Sequence, residues 1–315
     1  MSRAGSSPAA IALGAGWAAD ALLGDPARFH PVAGFGHAGE ALERTLWRPS
    51  RAAGTAYVAA LVVPLTAAVA AVDATLRRRP WARFALGFVA TWVVLGGRSL
   101  AREAHRLADA VDRGDLDRAR EIAPTLAGRD PSELDGPELC RATVESVAEN
   151  TTDAVVAPLL WCAVAGPAGA VVYRAANTLD AMVGHRNERY ERFGWAAARL
   201  DDLLTWPAAR LASLLTVALA PLAGADPRGA WRILRRDGAR HPSPNAGRME
   251  AAFAGALGVR LGGRNRYGDR VEDRPVLGDG SQPDVDAVRR AVRLSQLVGT
   301  AAAGLCVRLA WRLRR

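Results

Sequence analysis

Long uncharged apolar runs alternate along the chain with short, strongly polar stretches. Ala52 to Val72 and Ala154 to Tyr173 carry no charge, and each is about 20 residues, the length a helix needs to cross a hydrocarbon core. Shorter uncharged runs occupy Ala4 to Ala19, Phe84 to Gly97, Leu211 to Ala225 and Leu294 to Val307. Buried strands of a soluble α/β protein last about four to eight residues between turn signals. These runs are longer and dominated by Ala, Leu and Val. The pattern predicts an all-α, multi-pass integral membrane protein with about four to five transmembrane helices, plus amphipathic and re-entrant helices.

Residues 1–315 read as a single integral membrane domain, with polar connecting segments at about 98–153, 174–202 and 226–293. Arg77-Arg78-Arg79-Pro80 is a basic turn suited to a helical hairpin. Arg98 to Val111 sets Leu100, Ala104, Leu107, Ala108 and Val111 on one helix face. Asp115 is placed to cap a short helix, and Pro137 to open one that runs through Ala148 toward Asn150 and Asp153. Asp226-Pro227 should start a further helix and Asp237-Gly238 stop it. Gly247, Ala251 and Gly255 have the small-xxx-small spacing of close helix packing. Tyr267 to Val285, polar and proline-containing, is expected to be irregular. The basic stretches at Arg77 to Arg83, Arg228 to Arg274 and Arg312 to Arg315 should all face the cytoplasm. They could not share one side if every apolar run crossed fully.

The net charge of +9 comes entirely from arginine, since the chain has no lysine. The arginines flank apolar runs or neighbour acids, as in Arg102-Glu103 and Arg120-Glu121, and no aromatics interleave them. Membrane lipid is therefore the expected partner, and no nucleic acid. Cys140, Cys162 and Cys306 stand far apart, which predicts neither a disulfide framework nor a zinc site. Ala4 to Ala19 lacks a cationic lead and a cleavage site, so no signal peptide is expected. GxxxxGKS/T is absent, so the chain has no Walker-type nucleotide loop.

Charge beside a bilayer is costly enough to need a purpose, and it gathers in four clusters. In the first, Glu145 and Glu149 are four apart on one helix face, which Asp153 would continue if the helix persists. Such a row repels itself unless something positive answers it. Magnesium, bound through carboxylates and a nucleotide's phosphates, would do so; arginines such as Arg141, or plain solvation, are the competing reading. The second cluster follows the run that ends at Tyr173. Arg174 offers a planar fork for a phosphate, Asn177 and Asp180 share a face, and His185 can move a proton. Helix capping is the alternative. In the third, Arg199-Leu200-Asp201-Asp202, the paired aspartates could hold magnesium or complement a helix dipole. In the fourth, Arg235-Arg236 precede His241-Pro242-Ser243-Pro244-Asn245. There Ser243 or Asn245 would cap a helix whose N–H groups form an anion site, with arginines close by.

A longer set of blocks surrounds these clusters. It comprises Gly24-Asp25-Pro26 with His30-Pro31-Val32, Gly128-Arg129-Asp130, Val144 to Asn150, Ala157-Pro158-Leu159, Tyr173-Arg174 and Asn177-Thr178-Leu179-Asp180. Met182 to His185, Arg189-Tyr190, Phe193-Gly194, Ala198 to Asp202, Pro207 to Leu211, Ser243 to Gly247 and Gly255 to Leu261 complete it. In this order, over residues 20 to 300, the blocks resemble the adenosylcobinamide-phosphate synthase family of cobalamin biosynthesis. Thr205-Trp206 departs from the family, which usually has an asparagine there, and this puts a polar contact in question.

The resemblance implies a ligase of the bacterial cell membrane that uses ATP and Mg2+. It would join adenosylcobyric acid to (R)-1-aminopropan-2-ol or its O-phosphate, giving adenosylcobinamide or adenosylcobinamide phosphate. On this reading His185, Asp180 and Asn177 are catalytic, and Arg129, Arg174, Arg199, Ser243 and Asn245 bind substrate and phosphate. Glu145, Glu149, Asp153, Asp201 and Asp202 are the candidate magnesium ligands. The implied partners are the corrinoid, aminopropanol or its phosphate, membrane lipid and other enzymes of cobalamin biosynthesis. A magnesium-dependent membrane prenyl or phospho-alcohol transferase would want repeated aspartate motifs, which are missing. A corrinoid or ion transporter would want charge inside its spans and paired repeats; here charge borders the runs and no repeat is visible.

Overall fold

The apolar runs fold into helices, as their length and their Ala and Leu content favour. The computed structural model describes residues 8–25, 30–126, 128, 130–185, 187–267 and 270–313. Among the described residues, five helical stretches are long and apolar enough to cross a membrane: Arg51–Arg78, Pro80–Asp112, Gly136–Val183, Trp195–Ala223 and Val285–Leu313. The protein is a multi-pass, predominantly helical membrane protein. Its chain divides into two compact units, residues 1–96, 153–207 and 302–315, and residues 97–152 and 208–301.

The first unit contains α1 (Pro8–Leu23), α2 (Pro31–Leu46), α3 (Arg51–Thr75), α4 (Pro80–Val94), α8 (Ala157–Val183) and the start of α9 (Trp195–Leu219). The basic turn does join a hairpin, α3 to α4, and Arg83 donates from two nitrogens to the Asp73 carboxylate across it at 2.8 and 3.0 Å. Helices α1 and α4 approach closely because Gly16 has no side chain; a Cβ there would lie 2.6 Å from Thr91 Cβ. Leu13, Leu95, Leu159, Cys162 and Cys306 fill one apolar core, and Tyr57, Leu179 and Phe193 another.

The run Ala154 to Tyr173 is not one straight helix. Gly166 takes φ 72°, ψ −156° within α8, just before Pro167. That backbone region is essentially open to glycine alone, and proline supplies no N–H to carry the helix through. The two arms fold back on each other. A Cβ on Gly169 would lie 2.3 Å from the Trp161 carbonyl oxygen, and Asn177 Nδ2 reaches Asp153 Oδ2 at 3.4 Å. In one continuous helix those last two residues would be about 36 Å apart, at 1.5 Å per residue. The segment is a helical hairpin with its tip at Gly166.

The second unit collects the polar segments. It holds α5 (Gly97–Asp112), α6 (Leu116–Ile122), α7 (Gly136–Thr151), α10 (Pro227–Asp237), α11 (Ala246–Leu257) and most of α12 (Val285–Leu313). Asp115 caps α6 through the Arg118 amide, Asp226 caps α10, and Asp135 with Glu138 forms a capping box before α7. A π-helical turn, Thr152–Val156, follows α7. Helices α10 and α11 pack backbone to backbone: a Cβ on Gly255 would lie 2.3 Å from the Gly229 oxygen. The stretch expected to be irregular instead forms an antiparallel hairpin, β1 (Leu261–Tyr267) with β2 (Arg270–Leu277). Its strands are too charged to show an apolar alternation. The hairpin is held from α7, where Glu145 Oε1 accepts the Gly262 amide at 2.7 Å and Arg141 donates to the Gly262 and Arg264 carbonyls.

Candidate functional site

The reversal at Gly166 gives the first unit its polar centre. Tyr173 and Asn177 are one turn apart on α8, Asp201 and Thr205 one turn apart on α9, and the hairpin returns Asp153 beside them. Asn177 Nδ2 donates to Asp153 Oδ2 at 3.4 Å and to Asp201 Oδ1 at 3.2 Å. The Tyr173 hydroxyl donates to Asp153 Oδ1 at 3.4 Å and pairs with Thr205 Oγ1 at 3.3 Å. Thr205 in turn reaches Asp201 Oδ2 at 3.4 Å. Arg174 Nη1 donates to Asn177 Oδ1 at 3.5 Å, and its buried Nε has no hydrogen-bond partner. Tyr173, Asp201 and Thr205 are buried, while Asp153 and Asn177 are half-buried.

His30 adds a ring to the same electrostatic neighbourhood. It caps α2 by accepting the Val32 amide at Nδ1, and its Nε2 lies 3.7 Å from Asp25 Oδ2. Burial lowers its pKa below the ordinary value; Asp25 opposes the shift and the Arg174 charge reinforces it.

The other candidates lie outside this centre. Asp180 is half-buried further along α8, and the Gly184 amide donates to its carbonyl. His185 is exposed in the bend after α8. The paired aspartates diverge: Asp201 enters the centre, whereas Asp202 lies 3.8 Å from the exposed Arg199. Arg129 falls outside the described residues.

In the second unit, Glu145 is buried against the strand it anchors, and Glu149 is half-buried on α7. Ser243, rather than Asn245, receives the first amides of α11, from Asn245 and Ala246 at 3.3 and 3.2 Å. Asn245 Oδ1 instead accepts from Arg210 at 2.9 Å. The arginines expected beside this helix end are engaged elsewhere. Arg236 pairs with Asp237 and Asp279, and Arg235 lies over the Trp231 ring.

Among the described residues, no three His, Cys, Asp or Glu side chains converge as a metal-binding set. The centre around Asn177 offers two carboxylates with amide and hydroxyl oxygens, all hard donors. That suits magnesium, which takes one or two carboxylates and completes its octahedron with water and phosphate oxygens. Sequence reasoning gave no role to Tyr173, Thr205 or His30. Thr205 stands one helical turn after Asp201, and that spacing was the available signal.

Comparison with known proteins adds a family. The model described as CobD/Cbib protein matches residues 13–295. A Mycobacterium tuberculosis protein named cobalamin biosynthesis protein CobD is 51% identical over 297 residues, covering 94% of each chain. Proteins of the same name from Geobacter metallireducens and Chromobacterium violaceum are 47% and 44% identical, over 87% of this chain and 88% of theirs. No solved structure matches the chain.

Proposed function

The chain belongs to the CobD/Cbib family and serves cobalamin biosynthesis, and from that premise we propose that it is an amide-forming ligase of the bacterial cell membrane. Its substrates are adenosylcobyric acid, ATP and (R)-1-aminopropan-2-ol or its O-phosphate. The observation that carries the reading is the Asp153–Asn177–Asp201 bridge with Arg174 beside it, at the open end of a helical hairpin.

A carboxylate does not condense with an amine at neutral pH. In the proposed reaction a corrinoid carboxylate oxygen attacks the γ-phosphorus of ATP, releasing ADP and leaving an acyl phosphate. The amine nitrogen then attacks the acyl carbon, phosphate departs as the C–N bond forms, and the amine's proton passes to a base. Asp153 and Asp201 would hold magnesium, with Asn177 fixing the distance between them. Bound there, the ion neutralises phosphoryl oxygens. Arg174 grips phosphate oxygens with its planar fork. We assign the amine's proton to His185, which is exposed to water in the bend just after α8, with Asp180 on the last turn of that helix.

The test is detergent-solubilised protein with ATP, magnesium, adenosylcobyric acid and either amine, followed by corrinoid mass analysis and ADP measurement. Amide product with stoichiometric ADP is expected. ADP release without a corrinoid product, or no reaction with either amine, overturns the ligase reading.

A further inference from the structure

In the second unit a cleft of about 190 Å³ opens to solvent between the end of α10 and the start of α11. Arg210, His241, Pro244 and Arg248 line it, and among the described residues no acidic side chain does, the buried Glu250 lying 3.7 Å from His241 Nε2. We propose that this cleft is a binding site for a phosphate ester, gripped by Arg210 and Arg248.

Three independent features converge. Arg210 reaches the cleft from α9 and is held there by its bond to Asn245 Oδ1 at 2.9 Å. Arg248, on the first turn of α11, has a buried Nε with no hydrogen-bond partner. A buried guanidinium N–H left unsatisfied is costly, and a bound anion would satisfy it. The positive end of the α11 dipole faces the same space. Two guanidinium groups and a helix terminus suit a dianionic phosphate better than a single carboxylate, and both forks match phosphate oxygens bidentately.

The loop between the helices is built to keep this shape. Pro242 and Pro244 restrict its backbone. His241 Nδ1 accepts the Ser243 amide at 3.0 Å, and a Cβ on Gly247 would lie 2.2 Å from His241 Cβ. His241 brings no charge of its own near neutral pH, since burial and the Arg274 charge lower its pKa to about 4. The two arginines therefore carry the recognition.

Two sources could supply the phosphate: a soluble ester, which is a substrate on the ligase reading, or a lipid headgroup. Only the first rests on that reading. Isothermal titration of the detergent-solubilised protein with pyrophosphate should give saturable binding. Arg248→Gln and Arg210→Gln should each weaken it by about tenfold or more, the worth of a charge-assisted hydrogen bond. Arg235→Gln, outside the cleft, should leave it unchanged. Reconstitution into phosphatidic acid nanodiscs that abolishes pyrophosphate binding assigns the site to lipid, whereas unchanged binding there assigns it to a soluble ester. Arg248→Lys guards against misfolding: it keeps the charge and loses the fork, so a partial loss at parental thermal stability supports the site. No saturable binding by the parent protein, or equal binding by parent and Arg248→Gln, overturns the proposal. Amide formation that fails while pyrophosphate binding persists would sink the ligase reading alone.

Discussion

The two units bury acidic side chains in opposite ways. In the second, Asp237 is fully enclosed, takes two bonds from Arg236, another from Arg240, and accepts the Gly278 amide at 2.9 Å. The Arg236 hydrogen bonds come first in holding its carboxyl down to about 2, against the effect of burial. Glu145 is committed in the same manner to a strand amide. These charges are fasteners between helices and the β-hairpin. In the first unit, Asp153 and Asp201 are joined by an asparagine, a tyrosine and a threonine. The Arg174 charge lies in the same electrostatic neighbourhood as Asp153. Asp237 is locked by arginine and backbone and serves architecture, whereas Asp153 and Asp201 are, on the proposed reading, the pair that would hold magnesium.

The contrast can be broken from either side. Asp237→Asn should be the most damaging change, costing about 3 kcal/mol because the new amide group would meet the Gly278 amide and guanidinium donors that the buried carboxylate now accepts; thermal unfolding in detergent measures it. Asp201→Asn should instead spare stability while lowering turnover by about 10² or more and raising the magnesium needed for half-maximal rate. If Glu149→Gln moves the magnesium titration and Asp201→Asn does not, the metal sits with α7 and the contrast fails. His185→Ala should lower single-turnover rates by about 10² at unchanged stability, as expected for a general base; full activity would remove that role.

Smaller effects sharpen the picture. Gly166→Ala forces a side chain into the positive-φ bend and should cost about 1 to 3 kcal/mol, with a matching fall in Tm. His241 titrates near 4 when folded and near 6.5 when unfolded. The unfolded chain thus binds more protons in that window, so stability should decline as pH drops from 6.5 toward 4. His30, also lowered by burial, acts in the same direction. A flat stability profile over that range, measured by denaturant titration, would contradict both.

Much of this was legible in the chain because it is written locally. Helix starts at Asp115 and Asp226, the basic turn before Pro80 and the Gly-spaced face of α11 depend on neighbours within a turn or two. The reversal at Gly166 was visible only as a Gly-Pro pair inside an apolar run, and run length outweighed it. The charged strands showed no alternation, although Gly268-Asp269 is a two-residue turn signal between them. The polar centre was half legible. Asp201 and Asn177 stood out as charge and amide beside apolar runs, but their partnership with Asp153 and Tyr173 exists only once the hairpin closes.

That closure also has a consequence for sidedness. A hairpin that enters and leaves through the same leaflet adds nothing to the parity of membrane crossings, whatever its hydrophobic length. A thiol-reactive label at position 153 and one at position 177 should therefore be reached from the same compartment. A crossing count that treats 154–173 as one span would place the two positions on opposite sides. Impermeant labelling of single-cysteine variants, with Cys140, Cys162 and Cys306 already buried and quiet, reads that parity directly.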